Sequence, residues 1–330
     1  MIFLPADKFF SVDAYRNNKL LADHIPSWCA DSIKLMVFIL YFYAGIAKLN
    51  SDWLLHALPL KIWLPARNDM PIIGTLFNYQ WIFYAFSWFG CAYDLTIAFL
   101  LWNKKTRFWA YIAVVIFHGL TAILFPIGMF PYVMIVTALI FFSPQTHQKI
   151  VHFIAKALHI KLAFLNTGSH FAYKPLTQKL VLGLFTLFFA FQFLFPFRYL
   201  LYKDELFWTE QGYRFSWRVM LIEKAGYAQF TVKDVSGKSE IVNNNTFLTP
   251  LQEKMMSTQP DMILQFSQIL KKYYQHKGFN SPQVYVDSYV ALNGRMGKPL
   301  IDPKIDLTKQ EDSFKPKNWI LPLNDEIKGF

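Results

Sequence analysis

The stretch YFYAGIAKLNSDWL, from Tyr41 to Leu54, decides how the chain is read. Its first half is aromatic and aliphatic, the composition of a helix end inside hydrocarbon. Lys48 then stands where the apolar run closes. A charged side chain in a membrane helix costs about 2.5–3.5 kcal/mol at the helix centre on insertion scales. At a helix end a lysine escapes part of that cost by snorkelling, with its amine among the headgroups. Lys48 therefore marks either an anchor or an amine kept out of water for its chemistry.

Outward from this stretch the chain repeats the apolar theme. Five candidate spans are expected, at 33–49, 80–102, 108–125, 130–143 and 180–201, the fourth short for a bilayer. Their connectors differ in charge. NKKTR at 103–107 is basic, PIGMF at 126–130 is uncharged, and 144–179 carries Lys149, Lys156, Lys161, Lys174 and Lys179. Within the last connector, KIVHFIAKALHIKLAFL has the helical periodicity and lysines of an interfacial helix. Placing the basic connectors in the cytoplasm puts the N-terminus inside, the end of the first span outside, and residues 204–330 outside.

The last third changes character. FSWRVMLIEK, AQFTVKDVSG and KSEIVN alternate apolar and polar residues between turn signals and predict an antiparallel meander. DMILQFSQILKKYYQHKG predicts a helix ending in cations and a glycine, and SPQVYVDSYVALNGR a further strand. The expected fold is an α-helical integral membrane bundle of about five spans, residues 1–203, followed by a β-rich extracytoplasmic α+β domain, residues 204–330.

Composition agrees with a lipid-bilayer environment: 54% of the 330 residues are hydrophobic and 18% aromatic, above the range of ordinary soluble domains. The net charge of +11 sits in connectors and in the C-terminal third rather than on one amphipathic element, which argues against nucleic acid as a partner. With two cysteines, Cys29 and Cys91, and no CxxC, neither a disulfide framework nor a structural zinc site is expected. The eight histidines show no HxxxH or HxxEH spacing, so no metal is expected. MIFLPADKFF has too short an apolar core for a signal peptide.

Two more ionisable residues fall inside spans: Asp94 in GCAYDLTIAFLLW and His118 in VVIFHGLTAILF. Each alone reads as helix–helix glue or a satisfied core group. Three such groups in consecutive spans also fit a polar cluster facing a shared cavity.

These residues lie in segments that resemble one family. FFSVDAYRNNKLLADHIPSW, YFYAGIAKLNSDWL with an AG-x-x-KL-x-x-DW pattern, FHGLTAILFPIGMFPYVM, FWTEQGYRFSWRVML, VYVDSYVALNGRMGKPLIDPKIDL and NWILPL occur in the order found in vitamin K-dependent gamma-glutamyl carboxylases and their bacterial relatives with an HTTM domain. The resemblance implies a carboxylase that couples oxidation of vitamin K hydroquinone (reduced menaquinone or phylloquinone) by O2, yielding the 2,3-epoxide, to addition of CO2 at the γ-carbon of a peptidyl glutamate. It implies no metal. Lys48 falls on the family's catalytic lysine, a free amine acting as base toward the quinol, and His118 on its functional histidine. Asp94 falls on an acidic position of the intervening span and is expected to take part in substrate binding. Tyr213 and Trp217 are implied to roof the site and meet the peptide, and Trp319 to contribute to substrate binding.

An ordinary lysine, with a pKa near 10.4, is protonated at neutral pH. Desolvation favours the neutral amine, so an apolar pocket at the membrane edge suits both the base and a lipid-soluble quinol. Against the family pattern, the chain begins within the loop before the catalytic helix and stops soon after NWILPL. The family's first helices, with an Asn-His pair, and the long C-terminal region of animal members are therefore expected to be missing. The rival reading is a non-catalytic membrane protein, a quinone-binding or assembly module. Few cysteines and basic-inside connectors point to a bacterial inner membrane.

Overall fold

A computed structural model describes residues 3–9, 11–159 and 168–329. Among the described residues, four helices are long and apolar enough to cross a membrane: Ser27–Ile46, Gln80–Trp102, Arg107–Leu124 and Pro175–Leu201, the last finishing as a 3-10 helix from Phe195. The expected span at 130–143 is instead a nine-residue α-helix, Phe130–Ala138, followed by the 3-10 turn Leu139–Phe141. At 1.5 Å per residue it is far shorter than the roughly 30 Å of a hydrocarbon core. The basic connector holds a helix at Pro144–Ala157, capped by the Ser143 side chain. The part of the expected interfacial helix at 160–165 lies outside the described residues.

The chain divides into two compact units. One comprises residues 1–45 and 92–194. Its apolar centre joins Val37 and Tyr41 to Tyr93, Ile97 and Leu101, Val114, Met134 and Phe141. Gly45 permits a close helix approach here, because a Cβ in its place would lie 2.8 Å from Leu95. The Tyr43 hydroxyl donates to the Phe193 carbonyl at 2.5 Å, tying the Ser27–Ile46 helix to the last long helix.

The other unit comprises residues 46–91 and 195–330. It contains an antiparallel sheet of β1 (Lys224–Lys233), β2 (Ser239–Ile241), β3 (Gln283–Leu292) and β4 (Lys298–Pro299), in the order β2-β1-β3-β4. β1 and β3 pair along their whole length, from Lys224 opposite Leu292 to Lys233 opposite Gln283. The alternation read from the sequence is realised on one face: Ala228, Phe230 and Val232 of β1 and Val284, Val286 and Val290 of β3 are buried. The helix Pro260–His276 covers that face with Ile263, Phe266 and Leu270, and Phe266 meets Phe230 edge-on at 5.0 Å between ring centroids.

The meander expectation needs one correction. FSWRVMLIE, residues 215–223, forms no strand, and the sheet begins only at Lys224. Phe215, Trp217 and Met220 have φ between 53° and 57°. Left-handed residues cannot lie in an extended ladder, so the segment turns repeatedly despite its alternating pattern.

Candidate functional site

Lys48 lies in the turn between two helices. The Ser27–Ile46 helix ends, and Asn50 opens the next, Ser51–His56. The Asn50 carboxamide accepts from the Trp53 backbone N–H at 2.9 Å and donates to the Ala47 carbonyl at 2.8 Å. One side chain thus caps a helix and closes the turn that carries the lysine. Lys48 is 6% exposed, and its amine stands 5.2 Å from the centroid of the Trp53 ring. That indole is itself fixed, donating to the Ser87 carbonyl at 2.8 Å. An aromatic wall held this way keeps water from one side of the amine.

The next acidic residue, Asp52, is 1% exposed. Arg295 grips both its carboxylate oxygens at 2.7 Å, and Asn293 donates to it at 2.7 Å. These hydrogen bonds hold Arg295 well above the usual guanidinium range, against the opposing effect of burial. Arg295 also reaches Asp325 at 2.6 Å. The C-terminal segment continues the clamp: the Ser51 N–H donates to the Lys328 carbonyl at 2.7 Å, and the Ile327 N–H to Glu205 at 3.0 Å. Burial raises the Glu205 carboxyl above its ordinary value, with the Ile327 and Phe207 backbone N–H donors opposing. Asp52, Asn293, Arg295 and Glu205 were not singled out in the sequence. Only the DW that follows the lysine hinted at the first of them.

The WTEQGYRFSWR segment belongs to the same unit. The Trp208 indole donates to the Leu321 carbonyl at 2.7 Å, and the Lys317 N–H donates to Gln211 at 2.8 Å, so this segment and NWILPL are joined. Trp319 is buried, with its carbonyl bonded to the Asp302 N–H. Gly212 has φ +88° and lies against the Tyr199 backbone, where a Cβ would come within 2.6 Å. Tyr213 is half-buried and edge-on to Phe207. Burial and the neighbouring Glu210 push its phenol up, against the pull of Arg218 and Arg214. Lys224 pairs with Glu210 at 2.7 Å, both nearly inaccessible; burial draws its ammonium below the ordinary range while Glu210 opposes. The Trp217 indole N–H and the Nε and Nη1 of Arg218 are buried without a hydrogen-bond partner among the described residues.

His118 and Asp94 lie in the other unit, 3% and 6% exposed. The His118 Nε2 is 2.8 Å from the Tyr41 hydroxyl. Its Nδ1 is buried with no partner among the described residues. The rings of Tyr93, Phe117 and Phe130 surround the imidazole, with centroids 5.3–6.3 Å away. Asp94 is within electrostatic range of Tyr41 and Tyr93. If Tyr41 donates to Nε2, the neutral imidazole carries its proton on Nδ1, a donor with no acceptor among the described residues.

Three groupings result. His118 lies in one buried aromatic cluster with Tyr41 and Tyr93, and Asp94, also buried, lies within electrostatic range of both tyrosines. Tyr213, Trp217 and Arg218 share one loop. Lys48 occupies its own turn beside Trp53. No set of three or more His, Cys, Asp or Glu side chains suited to a metal ion occurs among the described residues.

Comparison with known families accounts for both halves of the chain. The HTTM domain model matches residues 1–145, and the model of the vitamin K-dependent gamma-carboxylase lumenal domain matches residues 177–326. No solved structure matches the chain. With both of the family's domains matched in order, the chain belongs to the vitamin K-dependent gamma-carboxylase family.

Proposed function

We propose that the protein is a membrane carboxylase that couples epoxidation of vitamin K hydroquinone by O2 to carboxylation of a glutamate side chain in a peptide or protein. The observation that carries this reading is the buried turn of Lys48, closed by Asn50 and walled by Trp53. The turn places the amine beside an aromatic wall and away from bulk water, where a general base can meet a lipid-soluble substrate. Lys48 is the base toward the quinol in this reading, a role supported by its match to the family's catalytic position; His118 matches the family's functional histidine, and its Nδ1 is a donor suited to an oxygen that gains negative charge. The partnerless Nδ1 among aromatic rings supports a fit to an aromatic diol. When bound, the quinol with O2 supplies the oxidising power that yields a base stronger than any side chain. Tyr213, Trp217 and Trp319 serve the peptide side, and Asp94 supports the His118 cluster.

Residues 1–203 form the membrane part in this reading, and 204–330 a domain outside the cytoplasm of a bacterial inner membrane. The basic connectors at 103–107 and 144–179 support that orientation. Purified protein supplied with vitamin K hydroquinone, O2, labelled bicarbonate and a glutamate peptide tests the proposal. The expected products are quinone 2,3-epoxide and labelled peptide, both absent without enzyme. No epoxide above the enzyme-free control would overturn the reading.

A further inference from the structure

Between Asp94 and Asp204 the sequence holds no Asp or Glu, and both basic connectors fall within that stretch. The fold brings the two connectors together at one end of their unit. Trp102, just before the NKKTR turn, meets Phe141 edge-on at 5.8 Å between ring centroids, and Tyr111, just after it, meets Phe142 at 5.3 Å. Phe142 and Ser143 lead directly into the Pro144–Ala157 helix. In the turn, Arg107 is spent within the chain, donating to the Leu101 and Trp102 carbonyls at 2.9 and 3.1 Å. Lys104 and Lys105 stay exposed. Of the carboxylates in this unit, Asp7 pairs with Lys8, Asp31 with Lys34, and Asp23 accepts the Gly168 N–H at 2.7 Å.

The Pro144–Ala157 helix packs on the unit by a narrow edge, with Ala155 buried and Val151 half-buried. Another face is apolar and exposed. Ile150, Phe153, Ile154 and Leu158 follow the spacing of one helix face, and Phe153 is 75% exposed. Lys149 and Lys156, seven residues apart and both exposed, run along one border of that face. An apolar strip edged by lysines suits a helix lying in a bilayer interface, with the strip among acyl chains and the amines among headgroups. The chain enters this helix from the apolar helix Phe130–Phe141 and later returns into the Pro175–Leu201 span, so the connector begins and ends at membrane segments. Each lysine near an anionic leaflet strengthens binding by about five-fold.

We propose that this end of the unit is a docking surface for a leaflet of anionic phospholipid. The apolar strip of the Pro144–Ala157 helix enters the leaflet, and Lys104, Lys105, Lys149 and Lys156 hold the headgroup phosphates. The proposal rests on the reading of residues 1–203 as the membrane part. Charge names the lipid: a zwitterionic headgroup sets its own cation beside the phosphate, whereas an anionic one leaves the phosphate to the lysines.

The test uses the full chain in vesicles of phosphatidylcholine alone, or with about one third phosphatidylglycerol. Cys29 and Cys91 are buried, so a cysteine introduced at the exposed Ala157, by Ala157→Cys, takes a fluorescent label selectively. Leu187→Cys, at a residue 69% exposed on the Pro175–Leu201 helix, gives a second labelled protein. Spin-labelled lipid is the quencher. Quenching of the Ala157→Cys label is expected to be at least about two-fold greater in the anionic vesicles, and the excess should vanish in high salt. Replacing Lys104, Lys105, Lys149 and Lys156 together by Gln should abolish the excess. Equal quenching in the two kinds of vesicle would overturn the proposal, and that comparison decides even if the four-Gln variant fails to fold. So would an unchanged excess in the folded four-Gln variant. A quenched Leu187→Cys label with an unquenched Ala157→Cys label, as when a second copy of the chain covers the strip, would overturn the proposal alone. An unquenched Leu187→Cys label would bring down the membrane reading and the proposal with it.

Discussion

Arg295 holds both oxygens of Asp52 at 2.7 Å, across 243 positions of sequence. The pair ties the helix that carries Trp53, the wall beside the Lys48 amine, to the end of β3. Asp52 is 1% exposed and the Arg295 side chain 20%. Removing Arg295 leaves the buried Asp52 carboxylate without a counter-charge, at a cost of about 3–5 kcal/mol, whereas removing the Asp52 charge costs less because Arg295 keeps its pair with Asp325. Asp52→Asn and Arg295→Met are each expected to lower the thermal unfolding midpoint by several degrees. In a double-mutant cycle the two losses should be far from additive. Additive losses, or an unchanged midpoint in Asp52→Asn, would contradict the clamp.

The long helices and the two main strands were legible for simple reasons. Runs of about 20 apolar residues have few alternatives, and alternation in 224–233 and 283–292 matches one buried sheet face. The segment 215–223 misled because its pattern alternates while its backbone turns through left-handed residues at Phe215, Trp217 and Met220. The span expected at 130–143, short already in the sequence, is an apolar helical stretch too short to count among the four long helices. Lys48, Asp94 and His118 stood out as ionisable groups in apolar surroundings. Asp52 with Arg295, and the unsatisfied Arg218, did not, because pairing across long separations and the lack of a partner exist only in three dimensions.

His118 and Tyr41 provide a test in the other unit. Their 2.8 Å contact is buried, and Tyr41→Phe would leave a ring nitrogen without its partner, costing about 1–3 kcal/mol. If His118 stabilises a developing oxyanion, His118→Ala should lower the epoxidation kcat by about 10²–10³-fold. Tyr41→Phe should lower it less, since the imidazole remains but is less well oriented. Wild-type rates in His118→Ala would remove the histidine from the reaction.

Orientation in the membrane is open to direct measurement. Compartment-sensitive reporters fused after Lys174 and after Asp204 should give opposite signals, the first cytoplasmic and the second outside. The Pro175–Leu201 helix is the only one of the four candidate spans between those two points, among the described residues. The same signal from both fusions would show that this helix does not cross.

The central claim is that Lys48 is the base, and one substitution addresses it. Lys48→Ala removes the amine without adding charge, so the protein should still insert and keep its unfolding midpoint within a few degrees. Epoxide formation from vitamin K hydroquinone is the measurement, on detergent-purified wild-type and Lys48→Ala protein at equal concentration. General-base catalysis contributes about 10²–10⁴-fold, so the mutant should lose at least about 100-fold in rate. Part of the rate should return when a small primary amine is added to the buffer. A folded Lys48→Ala protein that makes epoxide at the wild-type rate would contradict the account and leave Lys48 a snorkelling anchor.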